Sequence, residues 1–145
     1  MIYISRPQIE EIKRHAERDY PHECGGMLIG HFESDGGKRV VETFPLENAR
    51  EEEARHDRVL ILPKDVLRVE RTAREKGLDV IGYYHSHPDD AAVPSQYDLD
   101  HALPVWSYVI ASVIGGKVVD VRSWVMENDR SKFNEEQITK VLNAS

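Results

Sequence analysis

A hairpin pattern near the end of the chain places the strongest constraint on its fold. Residues 106–114 and 117–126 are two runs rich in β-branched and aromatic side chains, and Gly115-Gly116 lies between them. Paired glycines adopt the positive φ angles that a tight turn between antiparallel strands requires. The chain is therefore expected to contain an antiparallel strand pair, and with it a sheet to which other strands can be added.

Strand patterns and helix patterns alternate through the rest of the chain. Strands are predicted at residues 1–4, 24–32, 38–46, 58–62 and 79–84. Helices are predicted at residues 6–19, 63–76, 95–101 and 134–143. This mixture predicts an α/β fold of the mixed α+β kind, with residues 1–145 as a single domain.

The charge balance and the single cysteine argue against several classes of protein. The chain has 19 Lys and Arg against 26 Asp and Glu, a net charge of −7, which does not favour a nucleic-acid or membrane-surface binder. One cysteine allows no intrachain disulfide, and no apolar run approaches the ~18 residues of a membrane span. A cytoplasmic protein is expected. The charged residues 48–57 are interpreted as a solvated loop or as a mobile flap beside a substrate groove.

Two histidines and a nearby acidic residue are the candidate chemical groups. His85 and His87 stand two apart at the end of the predicted strand 79–84, so their side chains share one face. Ser95 is expected to cap the next helix, and Asp98 would then lie in its first turn, within reach of the histidines. Two imidazoles, one carboxylate and a water make the open ligand set of a catalytic zinc site.

Structural explanations exist for each of these residues taken alone. A His-x-His pair on a strand is usually incidental, and Ser95 with Asp98 also forms a capping box, which is a purely structural arrangement. The residue types leave iron, cobalt and manganese open beside zinc. Cys24 could be a thiol nucleophile, but no sequence feature activates it, and a small buried residue is the simpler interpretation. The combined pattern is more specific than any of its parts.

The order and spacing of these residues resemble the signature of a known family. His-x-His-Pro at 85–88, followed by Ser-x-x-Asp at 95–98, is similar to the motif of the JAMM (MPN-plus) metallopeptidases. That family also has a glutamate before a glycine-rich apolar strand, and here Glu23 precedes CGGMLIG at residues 24–30. The resemblance implies a single-domain, cytidine-deaminase-like sheet flanked by helices.

The same resemblance implies a role for each residue of the motif. His85, His87 and Asp98 would bind one zinc ion, Glu23 would be the general acid and base, and Ser95 would assist at the oxyanion. These roles suit the residue types. Zinc activates water and polarises a carbonyl, a carboxylate outside the ligand set carries protons, and a hydroxyl donates to developing negative charge.

The substrate that the resemblance implies is a conjugate of a ubiquitin-like or sulfur-carrier protein. Several small family members cleave after the C-terminal Gly-Gly of such proteins, so a zinc-dependent peptidase or isopeptidase is expected. A non-catalytic scaffold of the same fold and a relative associated with DNA repair stay open as alternatives. The complete ligand set weighs against the first, and the acidic charge weighs against the second. An exposed edge strand could support a homodimer as easily as substrate docking.

Overall fold

A computed structural model describes residues 1–46 and 63–141. The predicted strand at 58–62 and the charged stretch 48–57 lie outside the described residues. The helices are α1 (Arg6–Asp19), α2 (Pro63–Glu75) and α3 (Gln96–His101). The strands are β1 (Ile2–Ser5), β2 (Gly25–Phe32), β3 (Lys38–Leu46), β4 (Asp79–Pro88), β5 (Ser107–Ile114), β6 (Lys117–Met126), β7 (Phe133–Glu136) and β8 (Ile138–Val141).

These strands form one sheet whose two edges come close together. Their order is β7-β6-β5-β4-β2-β3-β1-β8, so β7 and β8 lie at opposite ends, although only Gln137 separates them along the chain. The sheet must therefore curl until its edges approach. Glu136 marks this closure, since its carboxylate lies 3.4 Å from the Met1 amino group and accepts hydrogen bonds from the hydroxyls of Ser107 and Ser123.

Helix α1 lies inside the curl, and its N-terminus is capped as the sequence predicts. Ser5 Oγ accepts a hydrogen bond from the Gln8 N–H at 3.3 Å, and Gln8 Oε1 accepts one from the Ser5 N–H at 3.0 Å. This reciprocal capping box satisfies two backbone donors that the first turn would leave unpaired. Ile9, Ile12 and Ala16 are buried against the sheet. The helix predicted at 6–19 is confirmed.

Helix α2 covers the other face of the sheet. Its buried residues Val69 and Ala73 pack against Met27 and Ile29 of β2. Gly77 has a φ of 71° just after the helix, the left-handed conformation that commonly ends a helix. Across the residues that the structure describes, the helices are too short or too polar to cross a bilayer.

The C-terminal end differs from the sequence prediction. Residues 134–143 are predicted as a helix, but within 133–141 the chain forms β7, antiparallel to β6, and β8, parallel to β1. The apolar spacing of Ile138 and Val141 suits a helix locally. Pairing with two strand edges that are distant in sequence overrides this weak local preference, because every backbone group in a strand must find a partner.

Strand β4 lies at the centre of the sheet and is closely approached from β2. It pairs antiparallel with β2 on one edge and parallel with β5 on the other. A Cβ atom on Gly26 would lie only 2.3 Å from the ring of Tyr84. Glycine at this position of β2 leaves room for the Tyr84 ring, which a side chain would displace.

Candidate metal centre and active site

Strand β4 presents two histidines on one face of the sheet. It runs to Pro88, beyond the end predicted at residue 84. His85 and His87 are 2% and 7% exposed, and their ring centroids are 5.0 Å apart. Tyr83, two residues earlier, stacks on His85 with the ring centroids 5.5 Å apart. The spacing of two residues along a strand therefore brings both imidazoles together, as the sequence predicts.

The ring of His87 is oriented by the loop that follows β4. Its Nδ1 atom lies 2.9 Å from the carbonyl oxygen of Ala91. Because a carbonyl only accepts, Nδ1 carries the hydrogen in the neutral ring and Nε2 offers its lone pair. The carbonyls on either side of Ala91 accept hydrogen bonds from the Ser112 hydroxyl at 2.5 Å and the Trp124 indole at 3.0 Å. The loop is thus held to the β5–β6 hairpin.

The short helix α3 brings Asp98 to the histidines. Ser95 Oγ accepts from the Asp98 N–H at 3.1 Å, and Asp98 Oδ2 accepts from the Ser95 N–H at 2.9 Å. In this position Asp98 Oδ1 lies 3.1 Å from Nε2 of His85, and Oδ2 lies 3.2 Å from Nε2 of His87. Neighbouring ligands on tetrahedral zinc are about 3.3 Å apart. The Asp98 side chain can therefore cap α3 and, in the same position, lie at a distance from both histidines that suits a shared zinc ion.

The charges of this cluster favour a cation. Burial alone would raise the pKa of Asp98, but His85, His87 and the Ser95 N–H hold that pKa well below its ordinary value. Burial alone would lower the pKa of His87, but in its protonated form the ring donates to Asp98 and to the Ala91 carbonyl, and these bonds raise that pKa overall. Asp98 therefore stays ionised at neutral pH, and its negative charge attracts a positive group between the three side chains.

The donor set fits a zinc ion. Within the described residues, neither ring nitrogen of His85 has a well-aligned hydrogen-bond partner, although both are buried. The 3.1 Å contact between Nε2 and Asp98 is close without being aligned. Buried polar atoms in proteins are almost always satisfied, and a cation held by Nε2 would satisfy one of these. Two nitrogens and a carboxylate oxygen are ligands that zinc commonly takes.

Glu23 lies beside the histidines because the chain before β2 is held against β4. The Cys24 N–H donates to the Ser86 hydroxyl at 2.8 Å, and the Ser86 N–H donates to the Cys24 carbonyl at 3.2 Å. Glu23 is 6% exposed. A carboxylate oxygen of Glu23 and one ring nitrogen each of His85 and His87 all lie within 4.8 Å of one another. Glu23 thus brings a second carboxylate to the histidines from a segment that precedes them in the sequence, whereas Asp98 follows them.

Cys24 is not suited to nucleophilic attack. Its thiol is buried, and burial raises its pKa to about 12. A thiol with that pKa stays protonated at neutral pH, and the thiolate is the reactive form. Cys24 packs in the apolar core next to α1, which confirms its interpretation as a small buried residue.

A cleft of about 330 Å³ opens next to the histidines. Its lining combines the site residues with aromatic and apolar side chains: Glu23, Tyr83, His85, Tyr97, Asp98, His101, Ala102, Leu103, Trp106 and Tyr108. The sequence interpretation missed the aromatic wall. Tyr83 could have been found from the period of two along β4, but Tyr108 is placed by its register opposite Tyr83 in β5. That register depends on a parallel pairing that no local pattern encodes.

The chain is similar to known proteins over most of its length. Residues 5–127 match the family profile described as prokaryotic homologs of the JAB domain. A probable TtuB-protein conjugate cleaving protease of Thermus thermophilus is 30% identical over 79% of this chain and 72% of its own length. A desampylase of Haloferax volcanii is 32% identical over 69% of each chain. The solution structure of a protein from Desulfitobacterium hafniense, 29% identical, superposes with a TM-score of 0.83 over 97% of this chain and 93% of that one. This chain therefore belongs to the prokaryotic JAB-domain family, a branch of the JAMM/MPN proteins.

Proposed function

We propose that this protein is a zinc-dependent peptidase or isopeptidase in which His85, His87 and Asp98 bind the metal. The observation that carries the proposal is the convergence of the three side chains, with both oxygens of Asp98 at 3.1 and 3.2 Å from the two Nε2 atoms. The family supports the same conclusion, because one relative is named a probable conjugate cleaving protease and another a desampylase.

Asp98 is assigned as the third ligand and Glu23 as the proton carrier. Both carboxylates lie near the histidines, and Glu23 could in principle complete a metal site with them. Asp98, however, is already in contact with both histidines, and its capping hydrogen bond with Ser95 fixes its direction. Glu23 borders the cleft, where a substrate and a water can reach it. Its place is suited to proton transfer rather than to completing the ligand set.

The proposed chemistry divides the work between the metal and the side chains. Zinc, when bound, supplies Lewis acidity that activates a water and polarises the scissile carbonyl. The Glu23 carboxylate takes a proton from the attacking water and delivers it to the leaving amine. Ser95 is exposed at the helix cap, where its oxygen accepts from the Asp98 N–H. Its hydroxyl hydrogen is then available to donate to the developing oxyanion.

We further propose that the substrate is a ubiquitin-like or sulfur-carrier protein joined to its partner through a C-terminal Gly-Gly. One relative is named a probable TtuB-protein conjugate cleaving protease and another a desampylase, and these names support this class of conjugate. The net charge of −7 agrees with a protein substrate rather than nucleic acid.

The test combines metal analysis with a cleavage assay on a fluorescent peptide joined through its lysine to a carrier ending in Gly-Gly. The purified wild type should hold one zinc ion per chain, cleave the conjugate, and lose activity when a chelator is added. Glu23→Gln should keep the zinc and lose turnover by about 10²–10⁴-fold, the usual size of a general acid–base contribution.

Two controls make this result specific. Glu42→Gln removes a carboxylate from an exposed ion pair with Lys76 and should keep full activity, because surface pairs of this kind contribute little. A carrier whose tail ends in Val-Val should resist cleavage. Full activity of Glu23→Gln would refute the role of Glu23, and a wild type without zinc would refute the metal assignment.

A further inference from the structure

Helix α3, which carries Asp98, is a short element at the surface. It has six residues, and none of them is buried. A helix of this length is unstable on its own, since nucleation is costly and few hydrogen bonds follow. Helices in proteins are normally fixed by an apolar face packed on the core. Leu99 packs, partly buried, against a small cluster that includes Tyr108 and Met126. The position of α3, and with it that of Asp98, therefore depends on this limited packing together with contacts at the two ends of the helix.

Arg130 supplies the contacts at the C-terminal end of α3. Its Nη1 donates to the carbonyl oxygen of Ala102 at 2.5 Å, and its Nη2 donates to that of Asp100 at 3.3 Å. The last carbonyls of a helix have no partner within the helix and form the negative end of its dipole. A guanidinium with two donors in a fixed fork suits such a pair of acceptors. The Ala102 N–H donates to the Asp98 carbonyl at 3.0 Å. The end of the helix that Arg130 contacts is therefore one turn from Asp98.

The guanidinium is presented by a hydrogen-bonded turn between β6 and β7. The Arg130 N–H donates to the Glu127 carbonyl at 2.9 Å, and the Glu127 N–H donates to the Lys132 carbonyl at 2.9 Å. Phe133, which follows the turn, packs edge-on against Tyr108 of β5 with the ring centroids 5.8 Å apart. The turn is thus fixed to itself and to the sheet, so it can act as a support for the helix.

Arg122, on the same hairpin, shows that this arrangement is particular to Arg130. Arg122 pairs with the carboxylates of Asp120 and Glu135 at the surface, and within residues 1–46 and 63–141 it makes no hydrogen bond or ion pair with α3. It is therefore a matched control for loss of an arginine from this part of the molecule.

We propose that Arg130 is a positioning residue for the metal site: it holds the C-terminal end of α3 so that Asp98 reaches His85 and His87. Arg130 lies beyond residues 5–127, the part that the family profile matches. The expected effect of Arg130 on zinc affinity rests on the proposed function, whereas its expected effect on the hydrogen exchange of α3 does not. The guanidinium donates to the carbonyls of Ala102 and Asp100 and not to the side chains of the proposed ligands, so it acts through the helix.

The experiment compares Arg130→Ala, Arg130→Lys and Arg122→Ala by two measurements. Zinc affinity is measured by competition with a chromophoric chelator, and hydrogen exchange of the Leu99 and Ala102 amides is measured in the zinc-free protein. Arg130→Ala should weaken zinc binding by about 10–100-fold, the range seen when a partner outside the ligand set is lost. In this variant the Leu99 and Ala102 amides should exchange at least about tenfold faster than in the wild type, as expected for local loosening of the helix. Arg122→Ala should change neither quantity by more than about twofold.

The Lys variant separates positioning from a general loss of stability. An ammonium group can serve one carbonyl but not both in the fixed geometry, so Arg130→Lys should give intermediate values for both measurements at an unchanged melting temperature. If Arg130→Ala fails to fold, Arg130→Lys and Arg130→Gln decide the question by the same two measurements. The proposal would be overturned if these variants kept the zinc affinity and the α3 exchange rates of the wild type. If the wild type binds no zinc, the proposed function fails, and the exchange rates still decide the role of Arg130.

Discussion

The two parts of the candidate metal site are built in different ways. His85 and His87 project from β4, a central strand with hydrogen-bonded neighbours on both edges. Asp98 projects from α3, a helix of six residues with no buried member. The histidines are therefore fixed by the core of the sheet, whereas the carboxylate is held by the partly buried Leu99 and by polar contacts at the two ends of its helix.

Because of this difference, the histidine part of the site is preorganised, whereas the Asp98 part depends on what it binds. A ligand on a buried strand keeps its position whether or not a metal is bound, because the strand cannot move without breaking the sheet. A ligand on an exposed helix gains much of its order from the contacts that it makes with the histidines or the metal. The strand half should therefore tolerate loss of a ligand structurally, and the helix half should not.

The largest effects are expected when a ligand is removed from either half. His87→Ala and Asp98→Asn should each weaken zinc binding by more than about 100-fold, beyond the range for groups outside the ligand set. In the zinc-free state their consequences should differ. In Asp98→Asn the amides of α3 should exchange faster with solvent, whereas in His87→Ala the amides of β4 should stay as protected as in the wild type.

Zinc affinity by chelator competition and amide exchange by mass spectrometry check this contrast. Increased exchange in β4 of His87→Ala, at a rate matching that of α3 in Asp98→Asn, would show that the two halves do not differ in order.

A smaller effect is expected at the N-terminus of α3, where Ser95 is both a cap and a proposed oxyanion donor. Ser5 makes the same capping box at α1, and it ends β1, which lies three strands away from β4 in the sheet. Ser95→Ala and Ser5→Ala should each cost about 1 kcal/mol of folding stability through the lost cap. Only Ser95→Ala should also lower kcat, by about 10²–10³-fold.

Thermal unfolding and steady-state kinetics of the two variants separate these roles. Equal kcat values in the two variants, at equal loss of stability, would leave Ser95 as a cap alone.

The smallest effect on the site is expected from a change behind the strand half. Gly26→Ala places a Cβ 2.3 Å from the Tyr84 ring, so the ring and β4 must shift. Overpacking of this kind costs about 1–3 kcal/mol, and urea unfolding measures that loss. Tyr84 directly precedes the proposed ligand His85, so the shift should reach the metal site in weakened form. Zinc affinity should therefore fall only a few-fold. A variant as stable as the wild type would show that the contact between β2 and β4 is looser than the structure describes.

Local signals in the sequence account for much of the fold and for the histidine pair. The cap at Ser5 and the apolar spacing after it predict α1, and Gly115-Gly116 predicts the β5–β6 hairpin, because these signals act over a few residues. His85 and His87 meet because side chains alternate along a strand. The roles of the site residues stay predictions that the experiments above decide.

Features that join distant segments could not be predicted in the same way. The segment 134–143 has helical spacing but forms strands, because its partners in β1 and β6 lie elsewhere in the chain. The Ala91 carbonyl that orients His87 and the Arg130 fork under α3 have no signature in the sequence, since any residue offers a carbonyl and many surface arginines look alike. The family resemblance, rather than periodicity, singled out Glu23.

The closure of the sheet by β7 and β8 has a consequence for how the chain folds. β1 pairs with β3 at two residues only, Ile2 and Tyr3, and all four of its residues pair with β8. While the chain is being synthesised, the edge of β1 that faces β8 therefore stays unpaired until residues 138–141 have emerged. Such long-range pairing slows folding, because the entropy of closing the loop is lost before the contacts form. The last step of folding should be the joining of the two sheet edges, with the rest of the sheet already in place.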